Sequence, residues 1–476
     1  MPGTKLNRSQ AAALFLALLL AGCVDAPPTT PSQTEIASQD LGLGAEAAPQ
    51  QSDWWKAFRD PQLDRLVIQL LDNNPSLQSA LARIRAAEAE LSAARALDYP
   101  NVNIDGSETR ELLSDDFVYP RPFGGSWQWV GDTQARFRWS LDFWGKQAAL
   151  IDRARSVGQA AALDASAARL ALAGMFSQSY VELLLAWQNI DIAHQTVAER
   201  QTILDLTQSR VKAGLENEAS LEQAKALLAT SRIEVRRSEA QRDMTVHAIA
   251  ALIGQGAKVY PDIARPAAAV ENALPLPAHL PADLLARRPD ILAAHARILA
   301  AMRGRDAAHA DFYPNIDLAA AVGFQSLGLD NAFAGKALVT SVGPAIHLPV
   351  FDAGHIRAQY ARATADLDAA VADYNGTVVG AVRQTSDALT QVASLAEERQ
   401  QQQLALDSAG RAFDLAKERY RLGLSGQIPL LTAEATLLSA RQQMAALVAQ
   451  AAIQRVTLLL SVGGGFEPLS KQDVTP

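Results

Sequence analysis

The sequence contains one stretch twice, as PSLQSALARIRAAEAELSAARALDYPNVNI at 75–104 and as PDILAAHARILAAMRGRDAAHADFYPNIDL at 289–318. The two copies align without a gap at a constant offset of 214. Alanine matches carry little weight in an alanine-rich chain, so the alignment rests on the shared Arg-Ile and Tyr-Pro-Asn groups. Each copy changes at its Tyr-Pro from helix-forming residues to alternating polar and apolar ones. The duplication therefore predicts two structural repeats, each with a helix followed by a strand.

The composition and the missing motifs exclude several classes of protein. The chain has 476 residues and a net charge of -8, and it has no basic tract, so we expect no nucleic-acid partner. It contains no nucleophile elbow, no phosphate-binding glycine loop and no zinc-binding helix motif. We therefore expect no enzyme, no catalytic residue, no metal site and no cofactor apart from a covalent lipid.

The N-terminus predicts that lipid. Lys5 and Arg8 precede an apolar run at 11–20, which is too short to span a bilayer and fits a secretory signal. The run ends in Leu-Ala-Gly before Cys23, the only cysteine, as in bacterial lipoprotein signals. We expect acylation of Cys23, the alternative being a buried or free thiol. Val24 follows instead of aspartate, which by analogy with lipoprotein sorting in enteric bacteria favours the outer membrane.

Four strands are predicted, two in each repeat. Apolar and polar residues alternate over 135–143, and similar patterns begin at Asn101, Asn315 and Leu338, the last running to Val350. A soluble sheet shows the same alternation. Aromatic residues around the first hairpin resemble the girdles of outer-membrane barrels: Tyr99, Tyr119, Trp127, Trp129, Trp139 and Trp144.

The route across the membrane follows from the strand count. No segment after the signal reaches the roughly 20 apolar residues of a membrane helix, so we expect any crossing to be a closed β-barrel. Membrane barrels begin at about eight strands, so four strands require oligomerisation. Three copies supply about twelve.

Two very long helices are predicted at 147–213 and 355–422, because hardly any helix breaker interrupts them. At about 1.5 Å per residue each extends roughly 100 Å. They end in similar turns, Gly214-Leu215 and Gly423-Leu424, where glycine suits the left-handed position that closes a helix. Returning helices then end at Gly254 and Gly463.

The predicted fold class is mainly α with a membrane β-barrel, built from two structural repeats per chain. The predicted segments are a signal peptide at 1–22, a lipidated tether at 23–51, repeat 1 at 52–254, an equatorial linker at 255–288, repeat 2 at 289–462 and a tail at 463–476. The hairpins are placed at about 99–145 and 313–352, and the tip turns at about 210–222 and 419–432.

Several ordered motifs resemble one family. They are Asp53-Trp54-Trp55-Lys56-Ala57-Phe58, Asn74-Pro75-Ser76-Leu77, Leu141-Asp142-Phe143-Trp144-Gly145, Leu348-Pro349-Val350-Phe351-Asp352-Ala353-Gly354 and the run from Leu280 to Ile291 that contains Arg-Arg-Pro-Asp. With the paired Tyr-Pro-Asn motifs, they resemble the TolC-like outer-membrane factors. The resemblance is to the lipoprotein branch of efflux channels, the NodT/OprM type, and it spans nearly the whole mature chain.

This resemblance implies a homotrimer in the outer membrane of a Gram-negative bacterium, with a twelve-stranded β-barrel joined to a long periplasmic α-helical barrel. It implies a passive exit duct for small molecules in a tripartite pump. The partners would be a periplasmic adaptor (membrane fusion protein) and an inner-membrane transporter of the RND type. The adaptor would contact the tips at Gly214, Leu215, Gly423 and Leu424.

One departure from the family concerns the entrance. Related channels commonly carry aspartates just after the second tip turn, but here 425–432 contains no acid. Acids follow the first turn instead: Glu216, Glu218 and Glu222. We hypothesise that these form a negative entrance that favours cations, the alternative being a solvated helix cap. Pro429 is expected to distort the start of its helix.

Two other functions share part of this pattern. A protein-export (type I) channel uses the same fold, although the lipoprotein signal and the Arg-Arg-Pro-Asp segment favour efflux. A non-conducting envelope lipoprotein with coiled-coil spacer helices is the second. The amphipathic strands and aromatic clusters weigh against it, because a spacer needs neither.

Overall fold

The computed structural model describes residues 29–37, 41, 52–116, 118, 121–269, 287–328 and 331–466. Cys23, the signal segment, half of the predicted linker (270–286) and the end of the tail lie outside these residues. The described helices are α1 (Pro61–Asn73), α2 (Pro75–Ala96), α3 (Lys146–Lys212), α4 (Glu218–Leu252), α5 (Pro289–Ala310), α6 (His355–Arg421) and α7 (Gln427–Ser461). The strands are β1 (Asn101–Leu112), β2 (Trp127–Leu141), β3 (Asn315–Leu327) and β4 (Leu338–His347).

The two repeats have helices of matching length. Helices α2 and α5 have 22 residues each, α3 and α6 have 67 each, and α4 and α7 have 35 each. The long helices predicted at 147–213 and 355–422 are thus confirmed to within one residue at each end. Sequence places few breakers inside these helices, so their ends are set by the turns that follow.

The four strands form one antiparallel sheet in the order β1-β2-β3-β4. β2 begins at Trp127, earlier than the alternation at 135–143 indicates, and its residues 127–138 pair with the whole of β1, from Asn101↔Arg138 to Leu112↔Trp127. β4 ends at His347, so the prediction that it continues to Val350 is wrong. His347 pairs with Asn315, the first residue of β3, so the residues that follow His347 have no β3 residue to pair with.

The chain divides into two compact units that do not coincide with the sequence repeats. One contains residues 85–160 and 294–374 with the sheet, and the other contains residues 36–84, 161–293 and 375–476. The core of the second unit is large and aromatic. It buries Trp54, Trp55, Phe58, Phe176, Tyr180, Leu183, Ile249, Ile253, Val456 and Leu459.

Two helices, α3 and α7, are long and apolar enough in one window to cross a membrane, judged by length and composition alone. The expectation that no later segment reaches this level is therefore wrong. The criterion is weak, because buried core helices also meet it. Both helices supply side chains to the core of the second unit, including Phe176 and Val456, which explains their apolar character.

Each repeat has a matching contact, here named the joint, at the end of its returning helix in the second unit. In repeat 1 the Asn74 amide donates to the Leu252 carbonyl at 2.7 Å, and in repeat 2 the Arg288 guanidinium donates to the Ser461 carbonyl at 2.9 Å. Each side chain thereby satisfies a carbonyl at the end of a returning helix, which has no partner within the helix. Arg288 is also held by the Asp290 carboxylate at 2.6 Å. This ion pair gives the Arg-Arg-Pro-Asp motif a structural role.

Glycine is required at this joint. Gly254 has φ +71, and a Cβ there would lie 2.6 Å from the Asn73 carbonyl oxygen. Gly463, its counterpart in repeat 2, has φ +85, and its Cβ would lie 2.3 Å from the Arg287 carbonyl oxygen. Both the left-handed backbone and the close approach exclude a side chain.

Gly254→Ala is expected to destabilise the second unit by about 1–3 kcal/mol, because it combines left-handed strain with a backbone clash. The melting temperature of the purified protein, followed by circular dichroism, measures the effect. Gly256→Ala is the matched control, since φ there is -99 and nothing lies within 4 Å of the added Cβ. Equal melting temperatures for the two variants would contradict the assignment.

Candidate functional site

The register of the sheet separates an apolar face from a polar one. Ile104, Ala135 and Val322 lie in one row of cross-strand partners, and the adjacent row contains Asn103, Arg136 and Ala321. Large apolar side chains are exposed on the first face, with Ile104 at 78% and Val342 at 79%. An apolar surface of this kind is stable only in contact with lipid or another apolar surface.

Aromatic residues border the apolar face at both ends. Trp127 is 61% exposed at the start of β2, and Trp139 lies twelve residues later near its end. At about 3.3 Å per residue and a tilt of about 40°, this separation spans roughly 30 Å, close to the apolar band of a membrane barrel. Trp127 and Trp139, two of the predicted girdle residues, therefore lie at opposite ends of this face, whereas Tyr119, another of them, lies outside the described residues.

The indole groups near the end of β2 are hydrogen-bonded to the ends of neighbouring segments. Trp139 donates to the Asp98 carbonyl at 2.9 Å, and Trp144 donates to the Pro314 carbonyl at 2.8 Å. Trp144 also stacks on Tyr313 with ring centroids 4.8 Å apart. Asp98 directly precedes Tyr99-Pro100 and Pro314 belongs to the second Tyr-Pro motif, so a hydrogen-bonded tryptophan lies beside each motif where helix passes into strand. Satisfied indoles with exposed rings suit a boundary between lipid and water.

The polar face carries a compensated charge cluster. Arg136 bonds the Asp105 carboxylate at 2.8 Å and lies 3.5 Å from the Asp132 carboxylate. Gln134 and Gln325 also donate to Asp132, at 3.0 and 2.9 Å. Asp105, Asp132 and Arg136 are thus held by ionic or polar neighbours on this face, as expected for a surface that faces water.

The outer strands of the sheet have one neighbour each. Among the described residues, β1 pairs with β2 alone and β4 pairs with β3 alone. Backbone groups on the two outer edges therefore need partners. Lipid cannot supply these hydrogen bonds, so the edges must pair with other strands if the sheet lies in a membrane.

The two tip turns have the same geometry. Gly214 has φ +69 and Gly423 has φ +78. In each turn the leucine N–H bonds a carbonyl five residues back, at 2.9 Å, from Leu215 to Arg210 and from Leu424 to Arg419. This is the Schellman arrangement that closes a helix, as the sequence predicts. It leaves both leucines outside the core, 65% and 66% exposed.

Arg210 joins the two turns. Its guanidinium donates to the Tyr420 carbonyl at 2.6 Å and lies over the Tyr420 ring at 4.5 Å. It also approaches the Leu215 carbonyl at 3.4 Å. Carbonyls at helix ends carry partial negative charge, so a cation is favoured there. One side chain therefore links the end of α3 to the end of α6.

Tyr420 is fully buried between the helices. Its hydroxyl lies 3.0 Å from the Thr207 hydroxyl. Burial raises the pKa of Tyr420; the Thr207 hydrogen bond and the Arg210 charge lower it, whereas the Glu216 carboxylate raises it. The phenol therefore stays neutral at physiological pH and can serve as a fixed hydrogen-bonding group.

The repeats differ at the first residue of their returning helices. Gln427 is 3% exposed, and its amide donates to the Ser220 carbonyl at 3.1 Å and approaches Thr207 at 3.4 Å. Glu218, 209 positions earlier, is exposed. Two further ion pairs connect α3 to α7, Arg200 with Glu434 at 2.8 Å and Arg441 with Glu199 at 3.0 Å. The tip is therefore held by buried polar contacts between non-equivalent positions.

The three glutamates after the first turn have different surroundings. Glu216 accepts from the Ser220 hydroxyl at 3.0 Å, and Glu222 pairs with Lys225 at 2.7 Å. The Glu218 carboxylate has no charged partner within the described part of the chain. Of the three, Glu222 is therefore paired with a cation, and Glu218 is the more exposed of the other two.

Pro429 does not distort α7, so that prediction is wrong. The helix begins at Gln427 and continues without a break to Ser461. Pro429 is the third residue of the first turn, where backbone N–H groups have no acceptor within the helix. The missing N–H therefore costs nothing there.

Sequence reasoning missed Arg210, Tyr420 and Gln427 as tip residues. A comparison of the repeats contained the signal, because Tyr420 stands where repeat 1 has Val211, and Gln427 stands where it has Glu218. Their partners come from distant positions and cannot be read from local pattern. Within the described ranges, no group of three or more His, Cys, Asp or Glu side chains is placed to hold a metal ion.

An amphipathic sheet with aromatic rims, attached to paired long helices that end in two turned tips, defines a subunit of an envelope-spanning channel. The family model for "Outer membrane efflux protein" matches residues 66–255 and 280–464, and the chain belongs to this family. It is thus an outer-membrane efflux channel of a Gram-negative bacterium.

Relatives agree with this assignment. The chain is 33% identical to the fusaric acid resistance protein FusA of Burkholderia cepacia over 75% of this chain and 69% of that protein. It is 31% identical to outer membrane protein OprJ of Pseudomonas aeruginosa over 96% of this chain and 95% of that protein. The crystal structure of outer membrane protein VceC of Vibrio cholerae aligns with a TM-score of 0.80 at 31% identity, covering 88% of this chain and all of that one. The relatives are channel or transport proteins.

Gln427→Glu is expected to loosen the tip by about 1–3 kcal/mol, because a buried carboxylate would replace the donor to the Ser220 carbonyl. Hydrogen exchange at the Leu215, Ser220 and Leu424 amides measures the loosening. Glu218→Gln changes the equivalent exposed position of repeat 1 and serves as the control. Unchanged exchange in Gln427→Glu would show that the amide does not hold the tip.

Proposed function

We propose that three copies of this chain form a passive exit duct of a tripartite efflux pump for small molecules. The observation that carries the proposal is the four-stranded sheet with two unpaired outer edges and one lipid-compatible face. Three sheets joined edge to edge supply twelve strands, within the range of known membrane barrels. The polar faces then line the pore, and the long helices continue the duct on the periplasmic side.

Conduction tests this proposal directly. The purified, heat-modifiable trimer is expected to conduct ions in planar bilayers. A trimer that inserts without conducting would instead favour the spacer-lipoprotein alternative. The proposal includes no catalytic role and no cofactor other than the lipid on Cys23. The mass of the mature chain checks that acylation.

The tips are proposed as the contact with the periplasmic adaptor, which in turn binds an inner-membrane transporter of the RND type. The exposed leucines of both turns and the 73% exposed Ile428 support this role, because they form apolar surface next to well-ordered turns. Gly214 and Gly423 fix the direction in which Leu215 and Leu424 project.

Leu424→Asp is expected to abolish drug resistance in a complemented deletion strain, while bilayer conductance of the purified trimer is retained. A charge placed in an apolar contact is costly, whereas Leu424→Met conserves volume and apolarity and should keep resistance. Full resistance with Leu424→Asp would exclude this leucine from the adaptor contact.

The acids of the first tip turn are proposed to give the entrance a negative charge that favours cations. We assign the largest contribution to this negative charge to Glu218, because Glu222 forms an ion pair with Lys225 and Glu216 is hydrogen-bonded to Ser220. Threefold symmetry would repeat the charge around the entrance, and rings of charge govern selectivity in pores.

Glu218→Gln is therefore expected to reduce the preference for K⁺ over Cl⁻, measured as the reversal potential of single channels in a salt gradient. Glu222→Gln should change it less, and Glu216→Gln should fall between them. If none of the three variants changes the reversal potential, the acidic-entrance hypothesis is wrong and the acids are solvated helix caps.

A further inference from the structure

Residues 29–37 form an extended segment, here named the strap, that has neither helix nor strand. Their composition, rich in Pro, Ser, Thr and Gln, indicates a flexible linker. The structure instead shows the strap bonded to side chains of α5 and α6. Composition alone does not predict this attachment, which depends on specific hydrogen bonds to the two helices.

The central contact is made by Asp368 of α6. Its carboxylate accepts from the backbone N–H of Ser32 at 2.7 Å and of Gln33 at 3.0 Å, and from the Ser32 hydroxyl at 3.0 Å. Three donors therefore converge on one carboxylate. The pKa of Asp368 is lowered by the Gln33 backbone first, then by Ser32. Charge-assisted hydrogen bonds of this kind are about twice as strong as neutral ones.

Further contacts continue along the strap on both sides of Asp368. Arg305 of α5 donates to the Thr29 carbonyl at 2.8 Å and to the Thr364 hydroxyl at 3.1 Å. The Thr29 and Thr364 hydroxyls lie 3.3 Å apart. Further along, the Asn375 side chain accepts from the Ile36 N–H at 2.9 Å.

The residues that hold the strap have helical spacing. Thr364, Asp368 and Asn375 are four and seven positions apart, so they share one face of α6. Most of their partners are backbone groups of the strap, so recognition depends on an extended backbone more than on side chains. Strap side chains that take part include the hydroxyls of Thr29 and Ser32 and the Glu35 carboxylate, which lies 3.9 Å from the His295 ring of α5.

We propose that this face is a binding track for extended main chain, and that it fastens the chain's own N-terminal segment so as to place the lipidated residue at the membrane. The track comprises Arg305, Thr364, Asp368 and Asn375. The lipid part of the inference rests on the proposed acylation of Cys23. The track itself does not depend on it.

The distances agree with such a role. Thr364 lies nine residues after the start of α6, or about 13.5 Å along the helix. Cys23 precedes Thr29 by six residues, which reach at most about 21 Å. A lipid on Cys23 can therefore reach past His355, the first residue of α6, toward the strand end at His347. Attachment of the strap to α6 thus limits how far the lipid on Cys23 can lie from the start of this helix.

The test uses a spin label on Gln33→Cys in the full-length trimer, because Gln33 is exposed and its side chain is not needed for docking. The label is expected to be immobilised in the parent and mobile in Asp368→Ala. Exchange of the Ser32 and Gln33 amides should become about tenfold faster or more. A label that is mobile in the parent, or still immobile in Asp368→Ala, would overturn the track.

Two matched variants separate docking from folding. Asp366→Ala removes a carboxylate two residues away that lies 4.0 Å from Arg362, and it should leave the label immobile. Asp368→Asn keeps a carbonyl oxygen for the two N–H groups and should retain most of the immobilisation. Increased mobility in Asp366→Ala would mean that general loosening of α6, and not the track, controls the strap.

The anchoring role has its own readout. Asp368→Ala should lower the amount of heat-modifiable trimer in the outer membrane several-fold, whereas Asp366→Ala should not. An unchanged amount would refute the anchoring role, even if the strap becomes mobile. Labelling of the parent without Gln33→Cys would reveal a free Cys23 thiol, and would refute the lipid part while leaving the track in place.

Discussion

The structure depends on one constraint, the need to pair every backbone hydrogen-bonding group of the sheet. Lipid offers no donors or acceptors, so a strand edge in the membrane costs several kcal/mol for each unpaired group. This chain has four strands and leaves the outer edges of β1 and β4 without partners among the described residues. A single copy cannot meet the constraint, and a closed ring of copies can. The proposed oligomerisation thus follows from the backbone, and the side chains of the sheet decide only which face would meet lipid.

In both repeats, backbone groups at the helix ends also need hydrogen-bonding partners. Each repeat closes with a glycine pressed against a carbonyl and a side chain that donates to the end of the returning helix. Asn74 is the donor in one repeat and Arg288 in the other, so the same hydrogen bond is made by an amide in the first and by a guanidinium in the second. The repeats diverge at the tips, where Tyr420 and Gln427 of repeat 2 are buried against Thr207 and the Ser220 carbonyl of repeat 1. Structural symmetry therefore coexists with chemical asymmetry at the tips.

Local pattern predicts much of this fold because its elements are long and bounded by clear signals. The absence of breakers gives the 67-residue helices, and Gly214 and Gly423 mark their ends. The early start of β2 escapes prediction because Gly131, Asp132 and Thr133 interrupt the apolar alternation. Their strand conformation comes from pairing with β1 and β3. The prediction for Pro429 is wrong because the free-energy cost of proline depends on its position in the helix, and it is small in the first turn. Contacts such as Arg210 with Tyr420, or the strap with Asp368, join residues far apart in sequence, and no local period encodes them.

The most direct measurement of the central claim is disulfide cross-linking between the outer edges of the sheet. Asn103→Cys in β1 is combined with single cysteines on the same face of β4, at Val339, Ser341, Gly343 or Ala345, and the protein is oxidised in the outer membrane. If three copies close the barrel, at least one pair yields covalent species that stop at the trimer. A ladder that continues beyond three, or links confined to single chains at every position, would contradict a closed ring of three sheets.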